Sequence, residues 1–277
     1  MSLEYIWNPW HGCKKYSEGC LNCYMYYLDR ERGNDGSKIY RVKNNFNLPL
    51  KRTRDGKWKI PAGALLHVCL TSDFFLEEAD RWRDEAWDIM RNRKDINYFL
   101  LTKRAERIVQ CLPYDWGGGW EHVRINITAE NQRRVDERMP VLLSLPAKHK
   151  GIMLAPLLSA IDLTLYLESG QIENVLADGE NYDGARPCRY EWIKSLSDQC
   201  RMYKVPFTFC GTGNVFIKDG KVFHICKAYQ SIMALRSKLS YPEPSNIPEV
   251  QKRCAECSRR FKCGGCSYCG DCGNSCF

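Results

Sequence analysis

The sequence predicts an α/β fold, a partial or full (β/α) barrel followed by a small cysteine-rich, metal-binding extension. Three observations predict it. Apolar, β-rich runs alternate with amphipathic or charged stretches, polar residues follow nearly every apolar run, and seven of the 16 cysteines lie in the last 24 residues. Such alternation is typical of parallel strands joined by crossover helices. A chain of 277 residues with 44% hydrophobic residues can fill the required core.

Seven runs rich in apolar and β-branched residues are the predicted strands: Leu3–Trp7, Leu65–Thr71, Tyr98–Thr102, Val123–Thr128, Gly151–Leu154, Asn174–Ala177 and Pro206–Phe209. The predicted helices are Leu21–Glu31, Glu77–Asn92, Ala105–Gln110, Gln132–Ser144 and Arg189–Tyr203. Asp219-Gly220 predicts a hairpin that pairs Asn214–Ile217 with Lys221–Ile225, and a helix over Lys227–Lys238 follows. The proline-rich residues 241–248 predict a boundary between a barrel domain, 1–240, and a metal-binding segment, 241–277.

Composition and charge narrow the class of protein. No apolar stretch approaches the ~20 residues that span a bilayer, and the N-terminus lacks a cleavable signal, so we expect a soluble, cytoplasmic protein without a membrane partner. Ten Lys or Arg and three acidic residues lie between Arg30 and Lys59. This basic segment either contacts the phosphates of a nucleic acid or is an ordinary solvated face, since no series of aromatic residues for base stacking accompanies it.

The first cysteine cluster has the spacing C-x6-C-x2-C, formed by Cys13, Cys20 and Cys23, directly after the first predicted strand. Three thiolates from one loop can hold a 4Fe-4S cluster by three of its irons and leave the fourth iron open to a small ligand. A structural zinc site would need a fourth ligand, for which His11 is near enough in sequence. Three unpaired core cysteines are the remaining alternative.

Several short motifs, in this order, resemble those of the three-cysteine, phage-protein-like branch of the radical S-adenosylmethionine superfamily. They are Trp7-Asn8-Pro9-Trp10-His11-Gly12-Cys13 with Gly19-Cys20-Leu21-Asn22-Cys23-Tyr24, Leu101-Thr102-Lys103-Arg104, Thr128-Ala129-Glu130-Asn131, Arg138-Met139-Pro140, Pro156-Leu157-Leu158, and Gly179-Glu180 with Gly184-Ala185-Arg186-Pro187. The resemblance covers most of residues 1–220. Two loops depart from the pattern, at Ala155, where relatives tend to carry Glu, and at Asn181, where they tend to carry Ser. Both loops follow predicted strands, so we expect a substrate different from that of typical relatives.

This resemblance implies a radical-type (β/α) barrel and an enzyme. A 4Fe-4S cluster would bind S-adenosylmethionine at its open iron and, after reduction by a flavodoxin or ferredoxin, break the sulfonium C–S bond. The 5′-deoxyadenosyl radical so formed would take a hydrogen atom from the substrate, while the protein positions it and excludes water. The residues expected to bind the cofactor's amine, carboxylate or ribose are Ser72, Asp73, Lys103, Thr128, Glu130, Asn131 and Arg138. For each of them a structural ion pair or a helix cap is the alternative.

The expected substrate site includes Asp178, Glu180 and Asn181, which follow the sixth predicted strand, and Trp10. A carboxylate there can accept two hydrogen bonds from the N–H edge of a guanine-like ring. An aromatic residue such as Trp10 either stacks on a planar base or belongs to the core. No residue can be assigned the catalytic step from the sequence.

The C-terminal segment reads C-x2-C-x5-C-x2-C-x2-C-x2-C-x3-C, with Cys254, Cys257, Cys263, Cys266, Cys269, Cys272 and Cys276. Twenty-four residues bury too little surface to fold alone, so we expect a second metal centre held by some of these thiols. Paired C-x2-C spacings suit zinc, whereas the last four cysteines resemble the ligand series of a bacterial ferredoxin and favour an auxiliary iron–sulfur cluster.

Three functions follow as hypotheses. The first is a radical lyase that acts on a modified nucleobase. The second is a radical enzyme that repairs or modifies a base in DNA or RNA, which the basic segment would serve. The third is a non-catalytic zinc module that binds nucleic acid, although it leaves the three-thiol loop and the polar strand ends unexplained.

Overall fold

The computed structural model describes residues 4–243, so residues 244–277 of the predicted metal-binding segment, with all seven of its cysteines, lie outside the described residues. The strands are β1 Glu4–Trp7, β2 Trp10–His11, β3 Tyr40–Arg41, β4 Leu65–Val68, β5 Asn97–Thr102, β6 Val123–Thr128, β7 His149–Leu154, β8 Asn174–Asp178, β9 Cys188–Arg189, β10 Phe207–Gly211, β11 Val215–Lys218 and β12 Lys221–His224. The α-helices are α1 Tyr24–Glu31, α2 Asp80–Asn92, α3 Gln132–Ser144, α4 Thr164–Leu167, α5 Tyr190–Met202 and α6 Lys227–Arg236.

The first of two compact units comprises residues up to 128 together with 137–151. Its strands are hydrogen-bonded in the order β1-β4-β5-β6, with the start of β7 next to β6. The pairings β1–β4, β4–β5 and β5–β6 are parallel, and one row across these strands joins Trp7, Val68, Leu100 and Ile125. All four side chains are buried. A strand with both faces covered needs apolar residues throughout, which explains its composition. The carboxyl ends of β1, β4, β5 and β6 therefore meet at one edge.

The second unit comprises residues 129–136 and the chain from 152 onward. The end of β7, β8 and β10 follow one another in its sheet, and β8 and β10 are parallel, with Phe207 opposite Val175. A separate three-stranded sheet has the order β12-β11-β9, in which β11 and β12 form the predicted hairpin. The irregularity between Phe209 and Gly211 bends the end of β10 beside the end of β8.

The predicted α/β fold is confirmed, since parallel strands alternate with helices along the described chain. All seven predicted strands form, with ends that shift by up to three residues. The prediction of a helix over Ala105–Gln110 was wrong, because this segment makes two short 3-10 turns, Ala105–Arg107 and Val109–Cys111. Six residues are too few for the cost of starting an α-helix to be recovered by propagation.

Four of the cysteines outside the two clusters pack in the core, whereas Cys210 is half-buried and Cys226 is exposed. Cys69, Cys111, Cys188 and Cys200 are all buried and free. Burial raises the pKa of the Cys200 thiol to about 12, so this group stays protonated at neutral pH. These cysteines act as small apolar residues.

Within residues 4–243, no helix combines the length and the apolar character that crossing a lipid bilayer requires.

Candidate functional site

The loop that carries Cys13, Cys20 and Cys23 lies between β2 and α1, and hydrogen bonds to the end of β4 fix where it starts. The Gly12 amide donates to the Thr71 carbonyl at 3.1 Å, and the Ser72 hydroxyl donates to the Gly12 carbonyl at 2.5 Å. A side chain at Gly12 is excluded, because a Cβ there would lie 2.2 Å from the Lys38 carbonyl oxygen and φ is +86°. The backbone therefore holds Cys13 at the carboxyl edge of the first unit's strands.

The three thiols of this loop are free and half-buried, and they affect one another electrostatically. Burial raises the pKa of Cys13 to about 12, with further increases from Asp73, Cys20 and Cys23 that Arg104 partly offsets. Burial also raises the pKa of Cys23. Thiols that are close together and shielded from water ionise readily only when a bound cation replaces their protons. Thiolate metal sites form in this way.

Arg104 links this loop to the ends of β4 and β5. Its guanidinium lies 2.9 Å from Asp73 Oδ2, donates to the Lys14 carbonyl at 2.7 Å, and lies 3.9 Å from Cys13 Sγ. The Tyr16 ring lies beside it, with 5.1 Å from the guanidinium carbon to the ring centroid. Arg104 and Asp73 are both buried. A buried cation thus lies next to the Cys13 thiol.

Three cysteines in one loop are the type of donor that an iron–sulfur cluster requires. Within the described residues, no group of three or more His, Cys, Asp or Glu is placed to hold one metal ion. Thiolates of a cubane bind separate irons and need not converge on one centre. His11, the candidate fourth zinc ligand, places its Nε2 2.7 Å from Asp29 Oδ2. Cys13, Cys20 and Cys23 are therefore the residues that would hold a cluster.

The other predicted cofactor residues of the first unit lie along the same strand ends. The Lys103 Nζ lies 3.4 Å from Thr128 Oγ1, and the Arg138 guanidinium donates to the Thr128 carbonyl at 2.5 Å. Arg138 also lies 5.6 Å from the Tyr16 ring centroid, on the tyrosine that Arg104 contacts. The structure thus brings Lys103, Thr128 and Arg138 together.

Asp73 is held by several donors at once. Its Oδ1 accepts from the Thr102 hydroxyl at 2.7 Å and from the Phe75 amide at 2.9 Å, and its Oδ2 accepts from Arg104 and from the Lys103 amide. An amine ligand at Asp73 would have to compete with these donors. Its contacts are those of a carboxylate that organises the strand ends.

Glu130 and Asn131 belong to the second unit, where each has a structural partner. The Asn131 Oδ1 accepts from the Arg134 amide at 3.0 Å, which is the geometry of a helix N-cap at the start of α3. Glu130 is fully buried, 3.9 Å from the Arg134 guanidinium one turn later. The helix-cap alternative therefore describes the contacts of Asn131.

The loop after β8 carries the predicted base-binding residues. Glu180 is buried and bound by Arg186, whose backbone amide and Nε both donate to Oε2 at 2.8 Å while its Nη2 donates to Oε1 at 2.5 Å. A ligand would have to displace this fork to reach Glu180. In contrast, Oδ1 of Asp178 and Oδ1 of Asn181 are closed to solvent and accept no hydrogen bond from the described residues.

The position of the Asp178 carboxyl follows from three glycines. A Cβ on Gly211 would lie 2.7 Å from Asp178 Oδ1, and one on Gly179 would lie 2.3 Å from the Thr212 carbonyl oxygen. At Gly213, φ is +74° and a Cβ would lie 2.7 Å from the Glu180 carbonyl oxygen. Only glycine at these three positions allows the end of β10 to approach residues 178–180 so closely.

Burial raises the pKa of Asp178 to about 7, although Lys227 and the Gly179 amide lower it somewhat. Burial also raises the pKa of the neighbouring Cys188, to which the Asp178 charge adds. An acid with a pKa near 7 is partly protonated at neutral pH and can donate as well as accept a hydrogen bond. The two acids of this loop therefore differ: burial disfavours the charge of Asp178, whereas Arg186 binds the carboxylate of Glu180.

The core alternative describes the contacts of Trp10. Its side chain is completely buried, its indole Nε1 donates to the Asp73 carbonyl at 3.2 Å, and its ring packs on Phe74 and Trp82. A ring without an exposed face offers no surface for stacking on a base. Trp10 packs in the core as part of an aromatic cluster with Phe74 and Trp82.

Sequence reasoning did not single out two residues that organise these loops. Arg104 follows Lys103 at the end of β5, and its position directly after a buried strand was the available signal. Arg186 lies inside a quoted motif, yet only the folded loop shows that it returns to Glu180. Arginines that bind backbone and carboxylate at once leave no periodic pattern in the sequence.

Fold and loops together describe an α/β protein with a three-thiol loop at the strand ends of one unit and, at the strand ends of the other, an acid whose Oδ1 is closed to solvent. The chain belongs to the family described as "Protein of unknown function (DUF5131)", whose model matches residues 2–256. Comparisons with curated proteins and with solved structures found no match.

Proposed function

We propose that this chain is a radical S-adenosylmethionine enzyme, and that its barrel is of the corresponding type. The observation that supports this most is the loop of three free, half-buried thiols, which has no disulfide and is placed at the carboxyl edge of parallel strands. Active sites of parallel α/β folds occupy this edge. Three cysteines in one loop suit a cluster with one iron left for a substrate, since a structural metal site fills every position with protein ligands.

When bound, a 4Fe-4S cluster supplies the electron that breaks the sulfonium C–S bond of S-adenosylmethionine and yields the 5′-deoxyadenosyl radical. The chain's own residues would hold and orient the reactants. Cys13, Cys20 and Cys23 are the ligands, and Arg104 stabilises the negative charge that three thiolates bring into a buried place. Lys103 and Arg138 are the cations that a methionine carboxylate would meet.

The substrate we propose is a modified nucleobase of the 7-deazaguanine type, and the most specific candidate is queuine. In this reaction the 5′-deoxyadenosyl radical would take a hydrogen atom from the cyclopentene ring beside the C–N bond. That bond would then break, which leaves a second double bond in the ring. The amine nitrogen would take up one electron from the reductant and one proton to give 7-aminomethyl-7-deazaguanine, so the protein would be a queuine lyase. Asp178 and Asn181 supply buried acceptors for the donor-rich edge of the ring. Buried acceptors without partners cost free energy, which a ligand rich in N–H groups would recover.

The test is anaerobic reconstitution followed by product analysis. We expect a brown protein with absorbance near ~400 nm that converts S-adenosylmethionine to 5′-deoxyadenosine under reducing conditions and queuine to 7-aminomethyl-7-deazaguanine, both measured by mass spectrometry. Cys20→Ala should abolish both products while the circular dichroism spectrum stays unchanged. Cys200→Ala, which removes a core thiol of α5 instead, is the matched control and should keep both.

Two outcomes would contradict the proposal at different levels. Undiminished 5′-deoxyadenosine from Cys20→Ala, or a colourless protein with bound zinc, would refute the radical chemistry. Production of 5′-deoxyadenosine without any change in queuine would refute only the substrate. The second candidate, a radical enzyme acting on a base within DNA or RNA, is favoured by the basic segment and would then be tested with oligonucleotides.

A further inference from the structure

Residues 51–59 form a short, two-stranded antiparallel ribbon that projects cations. The Lys59 amide donates to the Lys51 carbonyl at 2.9 Å, the Thr53 amide donates to the Lys57 carbonyl at 2.8 Å, and Arg52 and Trp58 form the bridge between them. We call this segment the basic ribbon. It contains five Lys or Arg residues and one acidic residue, which makes it the densest part of the positive segment between Arg30 and Lys59.

One face of the basic ribbon is used for packing. Two guanidinium groups lie against Trp58, with 3.6 Å from Arg52 and 4.2 Å from Arg93 to its ring centroid. Arg93 is buried, and its Nη2 donates to the Ile60 carbonyl, so this face points towards the body of the first unit. A base that stacked on this half-buried indole would have to compete with both arginines.

The opposite face and the tip are polar and charged. Successive residues of a strand point to opposite faces, so Lys51, Lys57 and Lys59 share the face away from Trp58. Lys57 pairs with Asp55 at 3.1 Å, but both side chains are more than half exposed and water screens the pair. Arg54 at the tip and Lys59 are exposed. No apolar side chain stands among them to enter a lipid layer.

From these contacts we propose that the basic ribbon is a docking surface for double-stranded DNA, with Arg54, Lys57 and Lys59 against backbone phosphates; the Lys51 Nζ already donates to the Asn44 carbonyl. The wide major groove of B-DNA lets a two-stranded ribbon approach the phosphates on its two edges, whereas the major groove of A-form RNA is too narrow and deep for side chains to enter. The arginines against the indole disfavour the stacking that single strands require. Because the contacts we assign are to phosphates at the groove edges and not to bases, binding is independent of sequence and weakens steeply with salt. This inference does not rest on the radical chemistry.

The test uses the full chain, purified without metal, and fluorescence anisotropy with a labelled DNA duplex at several salt concentrations. The double variant Arg54→Gln with Lys59→Gln should reduce the slope of log affinity against log salt by about 1.8, since each lost phosphate contact contributes about 0.9. At about 0.1 M salt this corresponds to a loss of affinity between roughly tenfold and a hundredfold. Arg54 and Lys59 are exposed, so the fold should be unaffected.

Lys221→Gln with Arg236→Gln is the matched control, because it removes the same charge from exposed positions on β12 and α6. This control should retain the wild-type slope. Equal slopes for all three proteins, or equal reductions in both double variants, would overturn the proposal. So would tighter binding to duplex RNA or to phosphatidylserine vesicles than to DNA. Each of these outcomes leaves the cluster and its products unaffected, so the two proposals fail separately.

Discussion

Replacing Arg104 tests the strand-end network directly, because its pair with Asp73 is buried. The two side chains are 8% and 7% exposed, and their closest atoms are 2.9 Å apart. Arg104→Gln leaves the Asp73 charge without its cation, which costs about 3–5 kcal/mol for a buried pair. Asp73 keeps its bonds from Thr102, Phe75 and Lys103, so we expect the lower end of this range, about 3 kcal/mol.

Urea unfolding of the metal-free protein measures this loss as a lower midpoint at a similar slope. Lys148→Gln is the control, because its partner Glu121 is exposed and we expect no measurable change. In the double variant with Asp73→Asn, the loss should be smaller than the sum of the two single losses, since no buried charge remains unpaired. A midpoint for Arg104→Gln that matches the Lys148 control would refute the buried pair and the position we assign to the thiol loop.

Two further predictions concern the loop after β8. The pKa of Asp178 is about 7 in the folded protein and close to 3.8 when unfolded, so the stabilisation from its protonated form is lost as pH rises between these values. The Asn side chain of Asp178→Asn stays neutral, so the free energy of unfolding of this variant should rise by roughly 2–3 kcal/mol relative to wild type between about pH 5 and 8. The difference in melting temperature between the two proteins should therefore increase with pH. A difference that does not change with pH would contradict the raised pKa. Glu180→Gln should lower the free energy of unfolding, measured by urea, by roughly 1–3 kcal/mol, because the Arg186 guanidinium loses its charged partner. It should change queuine affinity less than Asp178→Asn does, and the reverse order would assign base binding to Glu180.

Local pattern was sufficient for the strands and for most helices. Runs such as Val123–Thr128 are apolar and β-branched, and a strand buried on both faces requires this composition wherever it lies in the fold. The helix over Gln132–Ser144 was predicted with the observed ends, because Asn131 caps its first turn. In contrast, Ala105–Gln110 has too few residues for local preference to decide between an α-helix and 3-10 turns. The segment forms 3-10 turns directly after Arg104, which is held by its ion pair with Asp73.

For the candidate site, the sequence indicated which residue types lie at strand ends, but not which of these side chains already have partners within the protein. Asp178 and Glu180 are equivalent acids in the sequence, two residues apart. In the structure one lies beside Gly211 with a raised pKa, and the other is bound by Arg186. Trp10 was ambiguous for the same reason, since an aromatic residue suits a core and a base-binding site equally.

The amino-acid sequence by itself determined the alternation of strands and helices, the spacing of Cys13, Cys20 and Cys23, and the density of charge on the basic ribbon. These properties depend on neighbours along the chain, where period and residue type carry the information. Only the tertiary structure decided which carboxylates already have partners and which polar groups are buried. Burial and pairing depend on residues that are distant in sequence, such as Asp73 with Arg104, and these set the pKa values and the cost of each charge.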